Sequence, residues 1–441
     1  MRRAEVLRLT VAVAVAAGAV AIGETLSHGG HGSGSDSHSA QQTPAGSSAH
    51  PGGSGQASGK SSSTAGNVTV AGGPAVTQAL AHGSMTVVID QPAPGLLTEQ
   101  NRSIEQGAAV AVGQLNAAGG LLGHIHVKLV TQSLDGLSAS ALQSRLRSDT
   151  AAVLVLPCDT DSQLSLAAAG AQFGMLMLSP CNPDAAAGGR YATYWPVGMA
   201  ATDEAAGLTG YMSRIGYGRV FIVSSPGAQY IELLTNDFRN AAKAHGIQVV
   251  GSASIPLATS DYSVLAHEID AASPRPSAIF TALPPPLVNR LAAGLQAQGV
   301  DQTILGSTAM DTPLTLSGPK QLLENATFSS YGFSRENAAA HRFEAEYARS
   351  FRHLPVGAFP GLGFETMRVL EAAVGKAHSA EPSAIQHALA GGLTVQGIAL
   401  ADRAYEAGGD HNPAGEVAVS KVSQGSFLPL LASPPTAVEQ P

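Results

Sequence analysis

A chain of 441 residues is long enough for two domains and a sizeable core. Its formal net charge of −8, with no basic stripe interleaved with aromatics, argues against nucleic acid and anionic membrane surfaces as partners. Only 13% of residues are charged and 5% aromatic, while Gly contributes 50, a composition that suits tightly packed α/β layers.

The N-terminus reads as an address. Met1, Arg2, Arg3 and Arg8 form a basic region ahead of a stretch over 9–23 that is apolar except for Thr10. That is the form of a secretory signal, and Ala19-Val20-Ala21 offers a cleavage site. Residues 1–26 are therefore a signal peptide or, if uncleaved, an anchor. No cysteine follows the apolar stretch, so lipid attachment at a new N-terminus is not supported. Residues 27–83 are expected to be a disordered linker, mostly Gly, Ser, His, Ala and Pro, with too little apolar surface to offset the entropy of ordering. Its histidines, His28, His31, His38 and His50, could hold a metal loosely, but irregular spacing without thiolates reads as solvated linker. No metal or cofactor is expected.

The folded part is expected from Ser84, with a short apolar strand over 85–89 and a loop at Gln91-Pro92-Ala93-Pro94-Gly95. An Ala-rich helix over 103–116 stops at Asn116-Ala117-Ala118-Gly119-Gly120, where glycine supplies the positive φ that a helix end needs. Alternating apolar and polar residues over 125–131 predict a strand. A helix over 137–148 precedes the continuous apolar run at 152–156, fit for a buried parallel strand. Pro157-Cys158-Asp159-Thr160-Asp161 breaks that run, and a helix over 162–173 leads to a buried strand at 175–178. Ser179-Pro180-Cys181-Asn182-Pro183 ends it. The alternation implies a doubly wound parallel sheet.

A second set begins after Tyr194-Trp195-Pro196. Helices over 204–216, 229–245, 262–272 and 287–298 alternate with strands over 219–223, 248–250, 278–281 and 303–306. Two successive βα arrays result, each the size of one lobe. In such sheets ligands bind outside the carboxyl ends of strands, and most ends here are loops of Gly, Pro, Asp, Asn, Ser or Thr.

Cys158 and Cys181 are the only cysteines and follow adjacent strands at equivalent places. Neighbouring strands lie about 4.8 Å apart, within reach of a disulfide. An exported pair reads as bridged, two buried thiols being the alternative. Neither tip loop holds a histidine that would activate a thiol nucleophile. Other catalytic signals fail too. His267-Glu268 lacks a metalloprotease's second histidine, Gly361-Leu362-Gly363-Phe364-Glu365-Thr366 misses the last glycine of a dinucleotide fingerprint, and no Gly-x-Ser-x-Gly elbow occurs in the folded region. The chain is not expected to be an enzyme.

The ordered succession resembles the type I periplasmic solute-binding proteins of ABC importers, in the branch of the Leu/Ile/Val-binding proteins. The matching residues are Gly107 through Asn116-Ala117-Ala118-Gly119-Gly120-Leu121-Leu122-Gly123, then Ser179-Pro180, Tyr230 and Gly306. Ala358-Phe359-Pro360-Gly361, His411-Asn412-Pro413-Ala414-Gly415-Glu416 and Gln424-Gly425-Ser426-Phe427 follow in order. The resemblance implies two Rossmann-like doubly wound lobes joined by three crossovers and a hinge. Lobe 1 would comprise residues 84–200 and 330–388, lobe 2 residues 201–329 and 389–431, with a tail at 432–441.

It also implies ligand-binding residues. Asp159 and Thr160 lie in a loop that the family uses for ligand, although either could simply cap the following helix. Two aspartates there would oppose a free carboxylate on the ligand. Asn182 matches the loop that receives the ligand's carboxylate, Tyr230 an aromatic that closes over ligand, and Gln100 a first-loop contact. Leu283-Pro284-Pro285-Pro286 replaces a loop that often carries a contact. Thr308 stands where branched-chain binders place the acid for an α-amino group, with Asp311 three residues later as a substitute. A neutral threonine cannot pair with ammonium as a carboxylate does, which leaves an amide, a small acid or another polar metabolite open. The expected function is extracytoplasmic capture of a small metabolite (amino acid, amide or small organic acid) by a monomer that delivers it to an inner-membrane ABC permease. The alternative is an envelope sensory protein with the same lobes.

Overall fold

The computed structural model describes residues 73–332, 338–398, 403–415 and 417–433. The expected signal or anchor, residues 27–72 of the linker and residues 434–441 of the tail lie outside the described residues.

The linker expectation ends too late. Residues Gly73–Ala81 form helix α1, whose Val76 and Leu80 are buried in the core of the first lobe. The alternation of small and polar residues there hides two apolar positions four apart, which share one helix face.

The first sheet contains β1 (Ser84–Asp90), β2 (His126–Gln132), β3 (Ala151–Val155), β4 (Met177–Ser179) and β5 (Tyr194–Pro196). It is parallel throughout, in the order β2-β1-β3-β4-β5. Every residue of β3 is buried, as a strand covered on both faces should be. Helices α2 (Thr98–Ala117), α3 (Ala139–Ser148), α4 (Thr160–Ala171) and the short α5 (Ala187–Arg190) make the connections. At the end of α2, Gly119 and Gly120 have φ of 104° and 82°. Asn116 secures this stop, since its side chain both donates to Val127 O and accepts from Val127 N, each at 2.8 Å.

The second lobe begins with α6 (Ala201–Arg214) and continues β6 (Arg219–Ser224), α7 (Gln229–Ala244), β7 (Gln248–Ser254), α8 (Ser263–Ala271), β8 (Ala278–Thr281), α9 (Leu287–Ala297), β9 (Thr303–Gly306) and β10 (Thr327–Ser330). The chain then crosses back into α10 (Ala338–Phe351), α11 (Phe359–Ala377) and α12 (Pro382–Ala390), which pack on the first lobe. A hairpin of β11 (Leu393–Val395) and β12 (Arg403–Tyr405) follows. Then β13 (Val417–Ser423) and β14 (Ser426–Ser433) add antiparallel strands to the second sheet, whose order is β14-β13-β10-β9-β8-β6-β7. Its parallel part, β7-β6-β8-β9-β10, repeats the order of the first sheet.

The expected return to lobe 2 at residue 389 is corrected. Val395, Ile398 and Tyr405 are buried in the core of the first lobe, and the chain rejoins the second sheet only at Val417. This hairpin rests on the buried ion pair of Arg403 with Glu365, 3.4 Å apart, an attachment that apolar periodicity does not report.

Three crossovers link the lobes, and the first and third are bound together. Tyr405 donates its hydroxyl to Pro196 O at 2.6 Å, and the His411 ring stacks on Trp195 with centroids 3.7 Å apart.

Candidate functional site

Each sheet reverses its strand order between its first and third strands, so each lobe offers a switch point at its carboxyl edge. In the first lobe, loops there carry Leu96, Leu97 and residues 156–159; in the second, they carry Gly227, Ala228 and Pro284. The two edges face one another across an inner pocket and an outer chamber that share Leu97 and Tyr230.

The inner pocket is lined from the first lobe by Leu97, Gln100, Cys158, Cys181, Asn182, Pro183 and Phe359. From the second lobe come Ala201, Glu204, Tyr230, Thr308 and Ala309, with Tyr331 at the second crossover. It leaves room for water centres over about 20 Å³, space for about one molecule. The outer chamber is larger, about 160 Å³ on the same measure, and is lined by Leu96, Asp159, Thr160 and Asp161 against Gly227–Ile231, Leu257 and Pro284. The lobes are thus nearly shut. Gln100 spans them by donating its amide N–H to Ala309 O at 3.0 Å.

The expected site residues divide between these two spaces. Gln100, Asn182 and Thr308 line the inner pocket, Asp159 and Thr160 the outer chamber, and Tyr230 both. Asp159 caps α4, accepting from Ser162 N at 3.1 Å. The Thr160 hydroxyl is buried with no partner in the protein, as is that of Tyr230. Asn182 is tied to the third crossover, donating to Asn412 Oδ1 at 2.8 Å. Its backbone carbonyl accepts from Ala201 N at 3.1 Å, which fixes the start of α6. Cys158 and Cys181 are joined in a disulfide, Cα atoms 5.2 Å apart, that forms part of the pocket wall.

Thr308 is a partner of an acid rather than a replacement for one. Its N–H and hydroxyl donate to Glu204 at 2.8 and 3.2 Å, and Ser329 donates to the same carboxylate at 2.7 Å. Glu204 lies in the first turn of α6 and is 4% exposed. Burial pushes its carboxyl up to about 7, against the hydrogen bonds from Ser329 and Thr308. The sequence reading missed this residue, because Asp203-Glu204 looks like ordinary acidic dressing of a helix N-terminus. The substitute named for this role, Asp311, is turned elsewhere. It accepts from Ser330, and it is absent from the lining of either space.

A cluster of acids lies behind the outer chamber. Asp90, at the end of β1, accepts from Leu134 N at 2.7 Å, and burial raises its carboxyl to about 7, with Asp135 and Asp159 adding to the rise. Among the described residues, no lysine, arginine or histidine lines the inner pocket.

Two doubly wound lobes with facing carboxyl edges and three crossovers define a two-lobed binding protein of the type I periplasmic class. A family profile described as periplasmic binding protein matches residues 87–426, and the chain belongs to that family. It is a binding protein and not an enzyme. No curated protein is similar enough to count as a match. Solved structures share the fold. A solute-binding protein of an ABC transporter from R. palustris, in complex with benzoate, is 16% identical with a TM-score of 0.69, covering 81% of this chain and 98% of its own. A leucine binding protein from Thermotoga maritima is 18% identical with a TM-score of 0.69, covering 80% and 99%. A branched-chain amino acid transporter substrate binding protein from Streptococcus pneumoniae, in complex with isoleucine, is 17% identical with a TM-score of 0.68, again covering 80% and 99%.

Proposed function

We propose that this chain captures a small metabolite outside the cytoplasm, between its two lobes, and delivers it to an inner-membrane ABC permease. An amino acid, an amide or a small organic acid is the ligand class that the fold and its relatives support. The carrying observation is that strand-end loops from separate sheets converge on one small inner pocket, with Gln100 reaching Ala309 across it. Closure of the lobes would expel water and satisfy the buried polar groups with ligand. Gln100, Asp159, Thr160, Asn182, Tyr230 and Thr308, joined by Glu204, are the proposed contacts.

A thermal-shift screen of amino acids, amides, amines and small acids tests this reading. Ligand at a hundred times its Kd adds about 2.7 kcal/mol to stability by mass action. In a protein of this size that moves Tm by roughly 4 °C. If every compound leaves Tm where it was, the transport reading fails.

A further inference from the structure

The orientation of two buried amides carries an inference about which solute this pocket takes, and it rests on the solute-binding reading above. Gln100 faces Ala309 O, which can only accept, so the nitrogen of the amide must point there. Its Oε1 is left buried with no partner in the protein. Asn412 places its nitrogen 2.8 Å from both Ala185 O and Asp410 Oδ2, again acceptors only. Its own oxygen therefore faces Asn182, which must donate, and Asn182 Oδ1 is likewise buried and unpaired. Two carbonyl oxygens of lining residues are thus left without a partner, and Glu204 belongs to the same lining.

Several donors at the strand ends around the pocket are already engaged. Cys158 N donates to Asn101 Oδ1 at 2.8 Å, and the Ser179 hydroxyl to Cys181 O at 2.7 Å. Thr308 gives both of its donors to Glu204. The Tyr230 hydroxyl, also in the lining, is buried without a partner. A buried carboxylate held by three donors, with no basic side chain in the lining among the described residues, lacks a counter-charge there.

We propose that the inner pocket selects a small amine or amidine with a short apolar body and no carboxylate. Its N–H groups would donate to Glu204, Gln100 Oε1 and Asn182 Oδ1, while Leu97, Phe359 and the disulfide cover the apolar end. A carboxylate in the same place would meet three acceptors.

Isothermal titration of the full-length chain with isobutylamine, isobutyramidine, isobutyramide, isobutyrate, leucine and benzoate decides the matter. The amine and amidine are expected to bind at least about tenfold more tightly than isobutyrate or benzoate, the scale of one charge-assisted hydrogen bond. Glu204→Gln should weaken the amine by about tenfold and leave the neutral isobutyramide within about threefold. The ranking on the unaltered chain decides the question even where that variant fails to fold. Isobutyrate binding as tightly as isobutylamine overturns the assignment. Binding by leucine or benzoate alone also overturns it but leaves the transport reading standing. Silence from these probes and from the broad metabolite screen removes both.

Discussion

At the scale of single residues, the most consequential group is one that no sequence pattern marks. Glu204 is spelled like a solvated residue of a helix's first turn, and only the fold brings Thr308 and Ser329, more than a hundred positions away, onto its carboxylate. Thr160 was open to proposal from its strand-end placement, and Asn182 and Tyr230 from family resemblance; all three line one or other of the two spaces. The acid was not, since it reaches the pocket from a helix at the first crossover rather than from a strand-end loop. Its burial has a pH signature. Glu204, Asp90 and Asp311 are each raised to about 7 by burial. Between about pH 4.5 and 7 the folded chain therefore retains protons that the unfolded chain has released, so stability falls as pH rises through that interval and levels off above it. The neighbours that face Glu204 (Tyr230 and Asp237 on α7, Tyr331 after β10) offer it no positive charge. Glu204→Gln should flatten the slope and stabilise the chain at pH 8 by about 1 kcal/mol or more, read as a Tm higher by about 1–2 °C or more. A variant that melts lower at pH 8, with its pH slope unchanged, would contradict this account.

Among the elements, the packing of α2 on α11 shows how glycine spacing was read correctly in place but not in purpose. The sequence marks Gly107 as part of a family pattern and Gly361-Leu362-Gly363 as a packed helix start. The structure gives both the same reason. A Cβ on Gly107 would fall 1.8 Å from Pro360 O, and one on Gly363 would fall 2.0 Å from Ile104 O, so the two backbones touch where side chains would hold them apart. The regular strands and helices were legible because burial on both faces or on one face writes a period into the chain. Strand β3 and its counterpart in the second sheet, β8, announce themselves in this way. The β11–β12 hairpin does not, being only three residues per strand, too short for a period, and attached in part through the buried pair of Arg403 and Glu365. Gly107→Ala must push α11 away or distort it, and the expected cost is about 2–3 kcal/mol, the range for overpacking a core. Gly113→Ala on the same helix meets nothing within 4 Å and should be stabilising by a few tenths of a kcal/mol or more. Urea unfolding of the two variants compares them directly, and equal midpoints would refute the close-packing argument.

For the whole molecule, function depends on an equilibrium between open and shut lobes, and the described state is shut around very little space. With about 20 Å³ for water centres in the inner pocket, a solute the size of leucine requires the lobes to separate, at least to admit it. Stacking of His411 on Trp195 and the bond from Tyr405 to Pro196 hold the first and third strands of the hinge together. Gln100 makes a buried hydrogen bond between a helix of the first lobe and Ala309 of the second. A net contribution of about 1 kcal/mol for that bond shifts the ratio of shut to open by about fivefold. Gln100→Ala should therefore open the ligand-free chain. Small-angle X-ray scattering without ligand is the appropriate readout, because it is blind to any contact that Gln100 makes with solute. The variant is expected to show a larger radius of gyration than the parent, and saturating ligand should bring the two curves together. Should the ligand-free curves coincide from the start, the Gln100 contact plays no part in holding the lobes shut, and closure must be driven by the solute alone.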